Sequence, residues 1–322
     1  MSLLQYCKKL SDFYSWSMSI ADPRVESWFL MQSPWPTLAI TLVYLLVVSY
    51  GPKYMSARKP FSLKWVMVVY NLAMSVLNLY IGYELAVSST ARGYNYYCQP
   101  VNYSNNVYEL RIASALWWYY FSRLIEMSDS LIFILRKKTN QLSFLHIYHH
   151  STMFLLWWIG IKWVAGGSAF LAAMINSFIH VFMYLYYGLS ALGPWIKKYL
   201  WWKKYLTLLQ LAQFSSAMSL GIRAIVVGCD FPLWMQYALV VYMVSFLILF
   251  GDFYIKVYCR KKVLRKIVLC FISHSLIFLV SVVYIISVCL SFFLSFLISL
   301  LGAISLFGEF KHKHFFLLLI IK

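Results

Sequence analysis

The chain has 322 residues, of which 62% are hydrophobic and only 12% are charged. Globular domains carry about 25% charged residues, so this composition indicates an integral membrane protein rather than a soluble domain. The formal net charge of +18 could suit nucleic acid, but the basic residues lie in short clusters between apolar segments. Such a distribution is typical of membrane topology, and we expect membrane lipid and no nucleic acid as a partner.

Apolar segments long enough to cross a bilayer recur along the chain, each needing about 20 residues. Seven spans are predicted, at 34–51, 63–85, 113–135, 143–163, 168–190, 205–226 and 233–255. The expected fold class is therefore an all-α integral membrane protein. We assign residues 1–264 to this membrane domain. Residues 265–322 form an atypical apolar C-terminal extension, which is either an extra span or an artefact of the predicted gene end.

The basic clusters predict the orientation of these spans. More than half of the 28 Lys and Arg residues fall on one side, in the segments 52–64, 136–138, 193–204 and 256–266. By the positive-inside rule this side is cytosolic, so the N-terminus is non-cytosolic and the basic segment after span seven is cytosolic.

Two cysteines lie on the opposite side. Cys98 and Cys229 both fall in predicted non-cytosolic loops, where an oxidising lumen permits a disulfide between them. The alternative is that they are two unrelated thiols.

A box of three histidines is the most informative motif in the chain. His146, His149 and His150 stand at i, i+3 and i+4 within span four. This spacing places all three on one face of a helix. Ionisable side chains cost roughly 2.5–3.5 kcal/mol each at the bilayer centre, so a cluster of them indicates a functional site.

Other polar side chains recur at helical spacing inside the spans. They are Arg123, Glu126 and Asp129 in span three, Asn176, His180, Tyr184 and Tyr187 in span five, and Gln210 and Gln213 in span six. Lipid offers no hydrogen-bond partners, so these stripes are expected to face the interior of a bundle. Counting 1.5 Å per residue places members of all three spans, with the box, roughly 8–15 Å from the cytosolic side. A layer shared by four helices favours one active-site chamber over separate helix-packing contacts.

Some of these residues keep a simpler interpretation. Arg123 with Glu126 is either a stabilising ion pair within the bundle or part of the site. Tyr184 and Tyr187 fit the lining of a cavity better than catalysis, and the two glutamines fit a positioning role.

The histidine box is compatible with two chemistries. Imidazole binds iron and zinc well, which suits a metal-dependent membrane desaturase or hydroxylase. Membrane di-iron enzymes use several histidine boxes, however, and this layer supplies one box and His180. The second chemistry is acyl transfer, in which one histidine forms a covalent acyl intermediate and a neighbour moves the proton. A third, non-enzymatic interpretation is a seven-helix receptor or transporter, which would need no stacked histidine layer.

Several longer motifs occur in a fixed order along the chain. They occupy residues 120–130, 133–138, 144–150, 176–187 and 207–214, preceded by 22–28 and 33–37. In sequence and spacing they resemble the animal very-long-chain fatty acid elongases, in the branch that contains elongase 4 and the insect elongases. The resemblance covers about residues 10–260.

The resemblance implies a seven-helix protein of the endoplasmic reticulum, with six helices around a narrow tunnel for the acyl chain. It implies a 3-oxoacyl-CoA synthase that condenses acyl-CoA with malonyl-CoA and releases CO2 and CoA. We expect no cofactor and no metal beside these two substrates. Expected partners are the ketoacyl reductase, dehydratase and enoyl reductase of the elongation cycle, and a homodimer is compatible with the family.

The resemblance also implies roles for the polar layer. His149 is expected to be the nucleophile and His180 to face it, while His146 and His150 position rings or move protons. The substrate is expected to be oriented by a further set, namely Asn176, Glu126, Asp129, Gln210, Gln213, Tyr184, Tyr187 and Arg123.

Overall fold

A computed structural model describes residues 3–258, and every regular element within that range is helical. The α-helices of this range are α1 (Leu3–Ser19), α2 (Trp35–Ser56), α3 (Lys64–Ala91), α4 (Val107–Glu126), α5 (Ser128–Leu135), α6 (Phe144–Trp163), α7 (Ala169–Leu192), α8 (Lys203–Val226) and α9 (Leu233–Tyr258). The prediction of an all-α chain is confirmed for these residues. The predicted extension at 265–322 and most of the basic segment 256–266 lie outside the described residues.

The described residues divide into two units, one that contains residues 3–20 and one that contains residues 21–258. In the first unit the structure describes α1, which mixes lysine, serine and aspartate with aromatic residues. By length and composition this helix does not qualify as a membrane span. The second unit contains α2 to α9 and all of the predicted site residues.

Four helices of the described range, α2, α3, α7 and α9, are long and apolar enough to span a bilayer. Their outward faces carry exposed apolar side chains such as Leu42, Val69 and Phe182, whereas the polar Asn78 of α3 is fully buried. A bundle in lipid needs this arrangement, with polar side chains in its interior and apolar side chains on its outer surface. The chain is a multi-pass membrane protein.

The predicted third span, 113–135, differs from the structure. It is two helices, α4 and α5, separated at Met127. There the Met127 N–H bonds the carbonyl of Leu124 at 3.2 Å, an i→i+3 contact. The hydroxyl of Tyr70 from α3 donates to the carbonyl of Ile125 at 3.2 Å. A tightened turn and an inserted side chain are known causes of such interruptions.

The helices of the second unit pack in a closed sequence of neighbours. α4 contacts α7, α7 contacts α8, α8 contacts α9, α9 contacts α6, and α6 contacts α4. α2 lies against α5 and α6, and α3 packs extensively on α7. Glycine permits the close approach of α3 and α7, because a Cβ at Gly82 would lie 3.0 Å from the ring of Phe178.

The loops at one end of this unit are joined by strong contacts, and we call this end, comprising residues 21–34, 92–106, 164–168 and 227–232, the disulfide end. Cys98 and Cys229 form a disulfide there, with Cα atoms 5.6 Å apart. Arg24 forms a buried ion pair with Asp22 at 2.6 Å and donates to the carbonyl of Ala165 at 2.9 Å. These contacts tie the segment before α2 to the loop between α6 and α7.

Candidate active site

The histidine box lies in the first two turns of α6. Ser143 caps this helix by accepting a hydrogen bond from the N–H of His146 at 3.2 Å. The ring centroids of His146 and His150 are 4.3 Å apart, and those of His149 and His150 are 5.0 Å apart. The three imidazoles therefore form one contiguous cluster.

His180 of α7 faces this cluster from across the bundle. Its ring centroid lies 6.4 Å from that of His149, and its side chain is buried. Its Nδ1 lies 3.2 Å from Oε1 of Glu126 and 3.3 Å from Nη1 of Arg123. Arg123 and Glu126 form an ion pair at 2.8 Å in which both side chains are almost completely buried. The pair is thus an intramembrane ion pair that also contacts the histidine layer.

The surroundings of His180 Nδ1 accommodate two protonation states of the ring. A neutral ring with its proton on Nε2 accepts at Nδ1 from Arg123. A ring that carries a proton on Nδ1, including the imidazolium, donates to Glu126 instead. In the form protonated on Nδ1, His180 can therefore gain or lose a proton at Nε2 while Nδ1 keeps donating to Glu126.

His149 and His146 differ in how they are held. No hydrogen bond to the ring of His149 is found within residues 3–258; the ring is half-buried and packs on Phe246 at 5.5 Å. Nε2 of His146 is 2.8 Å from Oγ of Ser130, which in turn lies 2.9 Å from the hydroxyl of Tyr44. His146 is thus fixed in orientation, whereas the nitrogens of His149 are available to a ligand.

His150 is the most enclosed of the box histidines. It is 6% exposed, and its Nδ1 has no hydrogen-bond partner among the described residues. Its ring lies between those of His146 and His149 and supports both by packing.

Some of the polar residues predicted in α7 and α8 form hydrogen bonds with other polar site residues, and the others do not. Tyr184 donates to Oδ2 of Asp129 at 3.1 Å, and Asn176 donates from Nδ2 to Oε1 of Gln213 at 3.4 Å. Gln210 contacts the sulfur of Met183 at 3.8 Å. Tyr187 is 42% exposed, and its ring packs edge-on against Tyr186 rather than into the histidine cluster.

Three further residues belong to the cluster that the sequence patterns did not predict as site residues. Tyr119 donates to Oδ1 of Asn176 at 2.6 Å, and Ser130 and Tyr44 hold His146. Tyr119 stands four residues before Arg123 on the same helix face, which was an available signal. Tyr44 lies in α2 at helical spacing from Thr37 and Thr41, a buried polar stripe that was also an available signal.

Metal-binding groups of three or more His, Cys, Asp or Glu side chains are not found within residues 3–258. Within the described range the cluster offers the His149 imidazole, to which no hydrogen bond is found there, a second imidazole with two alternative partners, and amide and hydroxyl donors. These are the parts that acid–base and nucleophilic chemistry uses.

Comparison with known proteins gives the family. The model of the ELO (GNS1/SUR4) family matches residues 29–266. The chain is 59% identical over 251 residues to very long chain fatty acid elongase 4 of Homo sapiens, a match that covers 78% of this chain and 80% of that protein. Identity to elongase 4 of Mus musculus is 57% over 251 residues, with the same coverage. Very long chain fatty acid elongase 5 of Tachysurus fulvidraco is 48% identical over 254 residues, covering 79% of this chain and 85% of that protein.

These matches cover the segment that holds all of the histidine cluster. They confirm the resemblance to the very-long-chain fatty acid elongases that the ordered motifs predicted. They give no support to the desaturase interpretation of the histidine box. The chain belongs to the ELO (GNS1/SUR4) family.

Proposed function

We propose that this chain catalyses the condensing step of fatty acid elongation. In that reaction acyl-CoA, malonyl-CoA and one proton give 3-oxoacyl-CoA, CO2 and CoA, which lengthens the acyl chain by two carbons. The elongase relatives support the reaction class. The observation that carries the chemistry is the half-buried His149 ring, which has no hydrogen bond within residues 3–258 and faces His180.

His149 is the nucleophile of this proposal. A ring nitrogen of His149 attacks the acyl thioester, the carbon–sulfur bond breaks, and CoA leaves as a thiolate that takes up a proton. An acyl-imidazole is then held on α6. Nucleophilic catalysis needs a side chain whose attacking atom is not committed elsewhere, and His149 fits that requirement better than His146, which is bonded to Ser130.

The second half of the reaction consumes malonyl-CoA. Loss of CO2 leaves a carbanion, which attacks the acyl carbon and displaces the imidazole of His149. His180 lies beside this centre and handles the proton at Nε2, because its Nδ1–H can donate to Glu126 both before and after the transfer. Negative charge develops on the thioester oxygens in both halves and needs nearby donors.

The remaining polar residues orient the substrates in this proposal. His146 and His150 hold the nucleophile in place by ring packing. Asp129 is held by Tyr184, and Asn176 by Gln213. Gln210 and Tyr187, which lie outside these hydrogen bonds, are assigned to the wall of the substrate space. The reaction as written uses neither a metal nor an organic cofactor.

The membrane arrangement follows from the same proposal. Seven helices, α2, α3, α4 with α5, α6, α7, α8 and α9, span the bilayer, and six of them surround an acyl tunnel. The closed sequence of contacts among α4, α6, α7, α8 and α9 supports an enclosed space within the bundle. The N-terminus is luminal and the histidine layer lies near the cytosolic face of the endoplasmic reticulum, where the basic clusters meet CoA. The 3-oxoacyl product passes to the reductases and dehydratase of the elongation cycle, and a homodimer is compatible with this arrangement.

The test is a condensation assay on the purified full-length chain. Malonyl-CoA labelled at its free carboxyl carbon is supplied with a series of saturated acyl-CoA substrates of increasing length. We expect labelled CO2 and a 3-oxoacyl-CoA two carbons longer than the primer, both dependent on added acyl-CoA. Absence of the 3-oxoacyl product at every chain length would overturn the proposal. Bound iron together with desaturated or hydroxylated products would replace it with the desaturase alternative.

A further inference from the structure

Tyr119 connects two parts of the candidate site. One is the ion pair of Arg123, and the other is the pair of amide side chains of Asn176 and Gln213. Tyr119 lies on α4 with 1% of its surface exposed. The Arg123 guanidinium stacks over its ring at 4.1 Å, and its carbonyl accepts from Nε of Arg123 at 3.3 Å. Its hydroxyl points the other way and donates to Oδ1 of Asn176 at 2.6 Å. One buried side chain therefore contacts both parts.

The hydroxyl of Tyr119 determines which end of the Asn176 amide faces α8. A tyrosine hydroxyl that donates to Oδ1 holds the amide oxygen on the α4 side. Nδ2 of Asn176 is then directed at Oε1 of Gln213, 3.4 Å away. Gln213 uses its oxygen in this contact, so its Nε2 keeps its two hydrogens for other acceptors. Gln213 is half-buried and retains accessible surface for such a contact.

We propose that Tyr119 is a positioning residue, whose hydroxyl fixes the amides of Asn176 and Gln213 so that Gln213 presents N–H donors to the carbonyl oxygen of a bound thioester. This inference rests on the proposed condensing function, because it requires a thioester substrate. The hydrogen-bond chain runs in one direction, from Tyr119 to Asn176 and on to Gln213. Donors fixed in advance toward developing oxyanion charge are among the strongest contributions to catalysis.

The first variant removes only the hydroxyl. Tyr119→Phe keeps the ring beneath Arg123 and its edge contact with Trp157 at 4.4 Å. Without the hydroxyl, either end of the Asn176 amide can face Gln213, and the donor orientation is lost. We expect kcat to fall about tenfold, the effect of one misdirected hydrogen bond in the transition state. KM for acyl-CoA should change less than about twofold, because the apolar chain supplies most of the binding.

The neighbouring residue provides a matched control. Tyr120 is also fully buried on α4, its hydroxyl is hydrogen-bonded to Oγ1 of Thr37 at 2.8 Å, and its ring stacks on Phe154. Tyr120→Phe deletes the same atom from the same helix, away from the histidine layer. Both variants should lower the melting temperature by similar amounts, and only Tyr119→Phe should lower kcat.

A second variant tests the direction of the hydrogen-bond chain. Gln213→Glu still accepts from Asn176 but carries no N–H group. Its kcat should fall at least about tenfold. Because both substitutions remove the same donor, the double variant Tyr119→Phe with Gln213→Glu should lie within about twofold of Gln213→Glu alone.

The outcomes distinguish a failure of the inference about Tyr119 from a failure of the proposed condensing function. Equal kcat values for Tyr119→Phe and Tyr120→Phe would overturn the inference, as would losses that multiply in the double variant. If the wild-type chain makes no 3-oxoacyl product, the proposed function fails and the inference with it. If the wild type is active and Tyr119→Phe is unaffected, the inference alone fails.

Discussion

The disulfide end and the histidine layer use buried polar groups in opposite ways. At the disulfide end Arg24 has three acceptors, Asp22 and the carbonyls of Asn102 and Ala165. Glu109, just inside the same end, accepts from Arg92 at 3.0 Å and from Tyr94 at 2.5 Å. In the histidine layer, Nδ1 of His180 is shared by two competing partners, and no hydrogen bond to His149 is found within residues 3–258.

The contrast separates stability from catalysis. Buried polar groups with complete hydrogen bonding hold a structure together, and a group left without a partner costs stability. Proteins accept that cost where a reacting group has to stay available. Substitutions in the histidine layer should therefore change activity more than stability, and substitutions at the disulfide end the reverse.

The largest effect is expected for His149→Ala. Removing the nucleophile should lower condensation by more than about a thousandfold, because no neighbouring side chain takes over the covalent step. With acyl-CoA alone, the wild type should gain one acyl group by intact-mass spectrometry, and the variant should gain none. The melting temperature should fall only modestly, since the variant loses ring packing on Phe246 and His150 but no hydrogen bond found in the described part of the chain.

The control for His149→Ala is Tyr103→Phe at the disulfide end, which deletes one hydroxyl bonded to the carbonyl of Trp163 at 3.0 Å. It should keep full activity. A His149→Ala protein that condenses at the wild-type rate would refute the nucleophile assignment and the comparison built on it.

Glu126→Gln should lower both the stability and kcat. Glu126 therefore combines the structural role found at the disulfide end with the catalytic role found in the histidine layer. The substitution leaves the Arg123 charge buried without its counter-ion, which costs about 3 kcal/mol of stability or more. His180 also loses its anionic acceptor, and kcat should fall about a hundredfold. Thermal unfolding and steady-state kinetics measure the two effects.

The matched variant is Glu109→Gln, whose partner Arg92 is 36% exposed and can be solvated. It should cost only about 1 kcal/mol and leave kcat unchanged. Equal destabilisation by Glu126→Gln and Glu109→Gln would show that burial of the arginine partner does not determine how much stability is lost.

Removal of the disulfide should lower stability without lowering kcat. The bond links residues separated by 131 positions, and a loop of that size predicts a loss of roughly 2–5 kcal/mol in the Cys98→Ser, Cys229→Ser double variant. The melting temperature of the wild type, but not of this variant, should fall on addition of reductant. A variant with wild-type stability and reduced kcat would contradict the division between the two regions.

The sequence predicted the layer of polar residues because the physics of lipid restricts where such groups can lie. Buried polar side chains at helical spacing have to face the bundle interior, and counting residues along each span gives their depth. That reasoning placed His180 in the same layer as the box, and in the structure its ring centroid lies 6.4 Å from that of His149. It also treated Tyr184 and Tyr187 alike, yet they are 1% and 42% exposed. Spacing of three residues leaves two side chains about 60° apart around a helix, so periodicity alone does not distinguish them.

Contacts between helices could not be predicted from the periodicity of the sequence. The interruption at Met127 accompanies a hydroxyl supplied by Tyr70 from α3, and local sequence does not identify such a contact. The bond from Tyr119 to Asn176 likewise depends on α4 and α7 being neighbours. Side-chain networks that cross between helices need the tertiary packing before they can be assigned.

The smallest effect is expected at Tyr94, in the loop between α3 and α4. Burial raises the pKa of the Tyr94 hydroxyl above its ordinary value of 10, and its hydrogen bond to Glu109 raises this pKa further. The unfolded chain thus ionises this group first as pH rises. Its contribution to stability is complete below about pH 10 and is lost above it, by up to about 1.4 kcal/mol per pH unit.

Tyr94→Phe should remove that part of the alkaline loss. Melting temperatures of the wild type and the variant, followed from neutral pH to above pH 10, should converge only in the alkaline range. If the two curves stay parallel throughout, the buried hydroxyl does not couple folding of the disulfide end to pH. Because Tyr94 lies outside the histidine layer, kcat at neutral pH should be the same for both proteins. A change in kcat would instead show that this end of the bundle acts on the catalytic chemistry.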